Sequence, residues 1–131
     1  MEDNFKVEII SPEKIFFSDD TAMVVLPSYE GDMSVLKNHI SIITFLRPGI
    51  IKIQKDDNNF EEFFVEEGTV EYFDDSLVVL SASVKNIKDL SKEFISNLNK
   101  DIEDKLTQKD ITDHDRYVLN HKLDALKEIS I

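Results

Sequence analysis

The sequence predicts a mainly β protein with a helical end. An N-terminal antiparallel β-sandwich, residues 1–85, is followed by a C-terminal antiparallel two-helix hairpin, residues 86–131. Three observations predict this. Short runs rich in β-branched and aromatic residues, separated by close turn signals, fill residues 5–83; such spacing marks an antiparallel sandwich or flattened barrel. After Val84 the apolar spacing changes from two to three or four, the period of a helix face. The chain has 131 residues, 41% hydrophobic and 32% charged, which suits one compact domain or a small domain with an appendage.

In the first strand, "FKVEI", Phe5, Val7 and Ile9 alternate with Lys6 and Glu8, the period of a half-buried strand. Pro12 ends it. "TAMVVL" then runs to Pro27, and "ISIITFL" stops at the turn pair Pro48-Gly49. "GIIKIQK" and "FEEFFVEE" are joined by the turn formers "DDNN". Gly68 interrupts the chain before "TVEYF", and Asp74-Asp75 makes a hairpin with "SLVVLSASV". Ile87, Leu90, Phe94, Leu98, Ile102 and Leu106 form one apolar stripe on a first helix. "TQKDI" breaks it. "TDHD", Thr112 to Asp115, resembles a capping box with Asp in place of Glu or Gln. It opens a second helix at about Asp113 whose stripe is Leu119, Leu123, Leu126 and Ile129. A short connection favours antiparallel packing. Each narrow stripe needs a partner, because such helices are marginal alone.

Composition limits what the chain does. The net charge is −12, so nucleic acid is not an expected partner, because its phosphates are repelled. The charge is uneven. Residues 1–85 carry 17 acidic and 7 basic side chains, a balance of −10, whereas residues 86–131 carry 10 and 8, a balance of −2. A sandwich this acidic suits a basic partner surface, although acid excess alone also serves solubility. The chain contains no cysteine, which excludes disulfides, thiolate metal sites and a cysteine nucleophile. "MEDNFKVEI" reads as neither a signal nor a transit peptide, and no apolar run reaches the ~18–20 residues of a membrane span. The expectation is a cytosolic chain.

Chemistry is sparse. The three glycines, Gly31, Gly49 and Gly68, are far apart, and no phosphate loop, nucleophile elbow or HExxH motif is present. His114 and His121 lie two turns apart on the second helix, about 10 Å, too far for one metal, and read as surface residues. No metal site and no cofactor are expected. The stretch "SYEGDMSVLKNH" gathers Glu30, Asp32 and His39. Strand alternation would set the two carboxylates side by side. An acid–base pair needs one of them desolvated, yet Ser28, Tyr29, Lys37 and Asn38 beside them read as solvated. A charged docking loop on a rigid sandwich fits better than a catalytic dyad, with His39 a rim or packing histidine.

The order of these features resembles the epsilon subunit of the bacterial F-type ATP synthase, the counterpart of mitochondrial delta. The resemblance is carried by "VEIISPEKIFFSDDTAMVVLPSYEGDMSVLKNHISIITFLRPGIIKI" and "FFVEEGTVEYFDDSLVVLSASV". The family has "SPE" after the first strand, an "EGE-LGI-PGH" loop, an "L-PG" turn and "F-V-GG--EV----VTVLA", and it shares the two-helix end. The resemblance implies a sandwich and helical hairpin on the central stalk, beside the gamma subunit and the ring of c subunits. It implies a non-catalytic rotor subunit that couples ion flow to ATP synthesis. Its place would be peripheral, at the cytoplasmic face of the bacterial inner membrane, held there through the complex alone. Glu30 and Asp32 fall on the family's acidic loop toward the c ring, His39 on its loop histidine, and Ser11 on the position facing gamma.

Two departures stand out. Ser34 replaces a family glycine, and "KNH" replaces "PGH". Some bacterial relatives bind ATP through "(I/L)DxxRA". Here "TDHDRY" keeps Asp113 and Arg116 but has Thr112 and Tyr117 at the flanks, and a helix cap followed by a surface arginine is the preferred account. Where relatives extend the helices toward the alpha and beta subunits to block hydrolysis, basic residues serve. Here Arg116 is the hairpin's one arginine, which disfavours strong inhibition. Two other classes stay open: a free-standing sandwich adaptor or nucleotide sensor, and a small enzyme using Glu30, Asp32 and His39.

Overall fold

A computed structural model of the chain describes residues 3–129. The outermost two residues at each end of the expected sandwich and hairpin lie outside the described residues. Ten strands are described: β1 Phe5–Ile10, β2 Ile15–Thr21, β3 Met23–Ser28, β4 Gly31–Val35, β5 Ile42–Leu46, β6 Gly49–Asp56, β7 Asn59–Val65, β8 Gly68–Phe73, β9 Ser76–Leu80 and β10 Val84–Asn86. One of them, β2, has no clear alternating signature, since Ser18, Asp19, Asp20 and Thr21 follow one another. β4 alternates over only four residues, with Met33 and Val35 toward the core and Asp32 and Ser34 exposed.

The sheet runs β10-β7-β6-β3-β5-β8-β9-β1-β2, with β4 added on β3. β3 and β5 share a single residue pair, Ser28 with Leu46. There the sheet folds over, so that β10-β7-β6-β3-β4 faces β5-β8-β9-β1-β2 across one core. The layers meet in contacts such as Phe17 of β2 against Phe63 of β7, edge to face at 6.1 Å. Lys55 of β6 reaches Asp19 of the edge strand β2 at 3.0 Å and ties the two layers together. The pairings are antiparallel except for β1 with β9, which is parallel. Alternation sets the core: Phe5, Val7 and Ile9, or Val70 and Tyr72, point inward and are buried.

Beyond β10 the expected first helix divides. Ile87–Asp89 is a 3₁₀ turn, and helix α1 runs Lys92–Leu106 from an N-cap at Ser91. Ile87 and Leu90 therefore belong to the connection, while Phe94, Leu98, Ile102 and Leu106 form the helix stripe. Helix α2, Asp113–Glu128, starts as its cap predicts: the Asp115 N–H donates to the Thr112 hydroxyl at 3.0 Å.

The hairpin lies down on the sandwich. A second apolar cluster joins Ile102, Leu119, Ala125 and Leu126 to Ile50 of β6 and Phe64 of β7. In "GIIKI" and "EFFV" neighbouring apolar residues are buried on both faces, one toward the core and one toward the helices. Burying Ile50 and Phe64 stabilises docking by roughly 1.5–3 kcal/mol each. Lys122–Glu66 and Lys52–Glu128 ion pairs flank this contact. Among the described residues no helix is long and apolar enough to cross a membrane.

Candidate functional site

The acidic stretch is a tight β3–β4 hairpin. Ser28 pairs with Gly31, leaving Tyr29 and Glu30 as the loop. Gly31 has φ 117°, a conformation that a side chain disfavours. Ser28 is not solvated as expected: it is fully buried, because its hydroxyl fastens the turn. It donates to the Gly31 carbonyl at 2.6 Å and accepts from the Glu30 N–H at 3.2 Å. Glu30 lies in the turn and Asp32 in β4, so strand alternation does not align the two carboxylates. Glu30 stays exposed. Asp32, also exposed, accepts from the Arg47 guanidinium at 2.9 Å.

Arg47 belongs to this surface although no motif marks it. It follows β5, and its backbone N–H donates to the Pro27 carbonyl at 2.9 Å. Its side chain is only 17% exposed, and it lines a small cleft with His121 and Asp124 of α2. Gly49 is required close by, since a Cβ there would lie 2.5 Å from the Pro27 Cβ. His121 is half-buried rather than a surface residue. Its ring packs on Tyr117 at 4.3 Å, and Tyr117 stacks on Tyr29 at 5.6 Å. Burial lowers the His121 pKa, the Arg47 charge lowers it further, and Asp124 opposes both. His114 is exposed, as expected.

His39 lies in the loop between β4 and β5, whose shape rests on Asn38. Asn38 has φ 69°, and asparagine tolerates this left-handed region better than most side chains. It thus stands where the resembled pattern has glycine, without loss of the turn. Its N–H donates to the Asp75 carboxylate at 2.9 Å, and the Tyr72 hydroxyl donates to the same carboxylate at 2.7 Å. Asp74 and Asp75, at φ 51° and 59°, make the two-residue β8–β9 turn. The His39 ring, half-buried, meets Tyr72 edge-on at 5.7 Å, a packing role in keeping with its place at the rim. Ser34 is an exposed position of β4, and its φ needs no glycine there.

Ser11 is buried in the β1–β2 connection. Its hydroxyl accepts from the N–H groups of Glu13 and Lys14 at 3.3 and 3.2 Å, so its side chain shapes the turn. The surface beside it is apolar. Across the outer face of β5-β8-β9-β1-β2, register aligns Phe45, Thr69, Leu80, Ile10 and Ile15 in one row. Phe45 is 61% exposed and Leu80 52%. Ile43 and Phe73 extend the patch. No motif flags this row, because each residue simply occupies the outward position of its strand.

Asp113 and Arg116 lie on the exposed first turn of α2. Neither lines the cleft of about 680 Å³ beneath that turn, which is bordered by Glu66, Glu67, Asp110 and Asp115. Those carboxylates repel phosphate, although Lys105 and Lys122 stand among them. Among the described residues no cluster of three or more metal-ligand side chains occurs.

A family model described as "ATP synthase, Delta/Epsilon chain, beta-sandwich domain" matches residues 4–87. An ATP synthase epsilon chain from Pelagibacter ubique is 45% identical, over 99% of this chain and all of that one. The epsilon chain of Parvibaculum lavamentivorans is 32% identical, over 98% of this chain and 97% of its own length. Among solved structures, a chain of the Euglena gracilis mitochondrial ATP synthase, a structure of OSCP, F1 and c-ring, superposes with a TM-score of 0.76. It is 14% identical and is matched over 95% of this chain and 78% of its own. That likeness shows a shared fold.

Proposed function

Because the chain belongs to the ATP synthase delta/epsilon family, we propose that it is a non-catalytic rotor subunit. It stands in the central stalk of an F-type ATP synthase and couples ion flow through the membrane ring to ATP synthesis. Its place is peripheral, at the cytoplasmic face of the inner membrane. The observation that carries this reading is the apolar row Phe45-Leu80-Ile10-Ile15 on the outer face of the sandwich. A contiguous apolar patch of this kind calls for a permanent neighbour, and the gamma subunit is assigned to it. Ser11 contributes there by shaping the turn that presents Ile10, Pro12 and Ile15.

The acidic hairpin with Glu30 and Asp32 meets the polar loops of the c ring; the His39 loop, at the other end of β4 against the β8–β9 turn, is a separate contact of the rotor. A sandwich with a balance of −10 suits a basic surface there. The helical hairpin modulates ATP hydrolysis through the alpha and beta subunits only weakly, since Arg116 is its single arginine. Asp113 and Arg116 act as part of a helix start, and no nucleotide is assigned to them.

Purification of the native protein tests the assignment: it should copurify with membranes and a large ATPase. Phe45→Asp with Leu80→Asp should abolish gamma binding while leaving the sandwich folded. Glu30→Lys with Asp32→Lys should weaken attachment to the ring and lower coupled synthesis. A free, soluble chain that binds neither partner overturns the proposal in favour of an adaptor.

A further inference from the structure

Two contacts join the acidic hairpin to helix α2. Tyr29, in the turn itself, stacks on Tyr117 with the rings only 12° from parallel. Asp32 holds Arg47, and α2 lays His121 and Asp124 beside Arg47. The Arg47 side chain is 17% exposed, whereas that of Asp32 is 69% exposed. The helix therefore covers the cation and leaves its carboxylate partner open to solvent.

We infer that Asp32 and Arg47 form a latch linking the acidic hairpin to the docked helices. A cationic partner that engages Asp32 loosens the helical hairpin, and a docked hairpin weakens the hold of Asp32 on that partner. The inference rests on Asp32 lying in the docking surface proposed above.

The physical basis is the unequal burial of the pair. A covered guanidinium needs its counter-charge, and losing one partner of a shielded pair is costly because the other is left uncompensated. If a basic surface takes Asp32, Arg47 remains under α2 with a hydrogen bond to the Pro48 carbonyl at 3.2 Å. Beside it lie half-buried His121 and the exposed Asp124, and among the described residues Asp124 forms no ion pair with Arg47. Lifting α2 away returns the guanidinium to water. The element that moves is poised to do so. Its helices bury their stripes largely against each other, and Ile50 and Phe64 are the sandwich's buried contribution to that cluster. The linkage is reciprocal by thermodynamic necessity. Tyr29 strengthens it, because displacement of the turn also breaks the stack on Tyr117.

The chain contains no cysteine, so labels go only where they are placed. The exposed positions Asn58 and Asn120 can be changed to Asn58→Cys and Asn120→Cys in the full chain and spin-labelled. Distances between β6–β7 and α2 then report docking. Asp32→Asn should raise the long-distance population about three- to tenfold, the range for losing one partner of a half-shielded pair. Adding Arg47→Leu to Asp32→Asn should return it to the original level, since no buried charge is then left unpaired. Hexalysine should raise the long-distance population of the unmodified latch to saturation, and should do nothing further to Asp32→Asn. An unchanged distance distribution in Asp32→Asn overturns the latch. So does failure of Arg47→Leu to restore docking, or an equal response to hexalysine with and without Asp32. These measurements use the isolated chain, so they are independent of whether the acidic hairpin binds the ring. A working latch with unchanged ring attachment in the charge-reversed variant would refute the docking surface alone.

Discussion

Tyr72 carries an ionisable group into the core. It is 1% exposed, and its hydroxyl closes the seam between the His39 loop and the β8–β9 turn. Burial pushes its pKa up to about 12, and the hydrogen bond to Asp75 and the charge of Asp75 push in the same direction. The chain has three tyrosines, so spectrophotometric titration should show one of them ionising late. The sign follows: a raised folded pKa favours folding below the ordinary value of about 10, and that contribution is lost as pH rises through 12. Tyr72→Phe should remove the late transition and cost about 1–2 kcal/mol in denaturant unfolding. His121 works in the opposite direction. Its lowered pKa means that the docked helix holds the neutral ring. Docking is therefore complete above about 6.5 and weakens as pH falls through the lowered value, because the released histidine binds the proton more readily. Exchange protection of the α2 amides should fall in that window, and His121→Gln should flatten the dependence. At this scale the sequence exposes residue types but not distant partners. Asp32 finds Arg47 fifteen residues on, and Asn38 finds Asp75 thirty-seven on. Neither pairing leaves a local pattern. Ser28 reads as solvated, and Ser11 as a contact residue only through the resemblance, yet each spends its hydroxyl on its own turn.

Elements were more legible than their pairing. The change of period after Val84, the Thr112 cap, the Pro48-Gly49 break and the Asp74-Asp75 hairpin are local signals, and each sits where backbone chemistry puts it. The edge strand β2 is obscure because its consecutive polar residues, Ser18 to Thr21, lack alternation, and β4 because its alternation spans only four residues. The sequence places the α1 start too early because Ile87 and Leu90 continue the helical spacing, although Ile87 lies in the 3₁₀ turn and Leu90 is its C-cap. These residues pack on the same cluster as the helix, so apolar spacing persists where the helix does not. The Thr112 cap offers a test at this scale. Thr112→Ala should cost about 1 kcal/mol, confined to the hairpin. Exchange protection in α2 should drop roughly fivefold for that energy, while β-strand amides stay unchanged. Equal loss in both would mean that the helices and the sandwich unfold together.

At the scale of the whole molecule we propose two modules. The core between the layers and the cluster under the helices are separate. A cut belongs after Asp89 rather than after Lys85, because β10 runs to Asn86 and pairs with β7. The shortened chain should fold with a cooperative denaturant transition and should bind gamma and the ring, since Ser11, Glu30, Asp32 and His39 all remain. It should be less soluble, because Ile50 and Phe64 lose their cover. Reconstitution with the remaining subunits, followed by assembly, synthesis and hydrolysis measurements, checks each point. An unfolded or non-assembling fragment would make the hairpin part of the core.

The parallel contact of β1 with β9 has a consequence in time. Lys6 waits for Ser76, and Ile10 for Leu80, about seventy residues later in synthesis. A growing chain can form the β1–β2 pair early, but that pair has no place in the sheet until β9 has left the ribosome. Non-local closure of this kind slows folding toward the millisecond-to-second range. The helices, made last, arrive when the surface they settle on is already complete. Interrupted synthesis before β9 would leave β1 and β2 as an unattached ribbon, the state in which this chain is most exposed to aggregation.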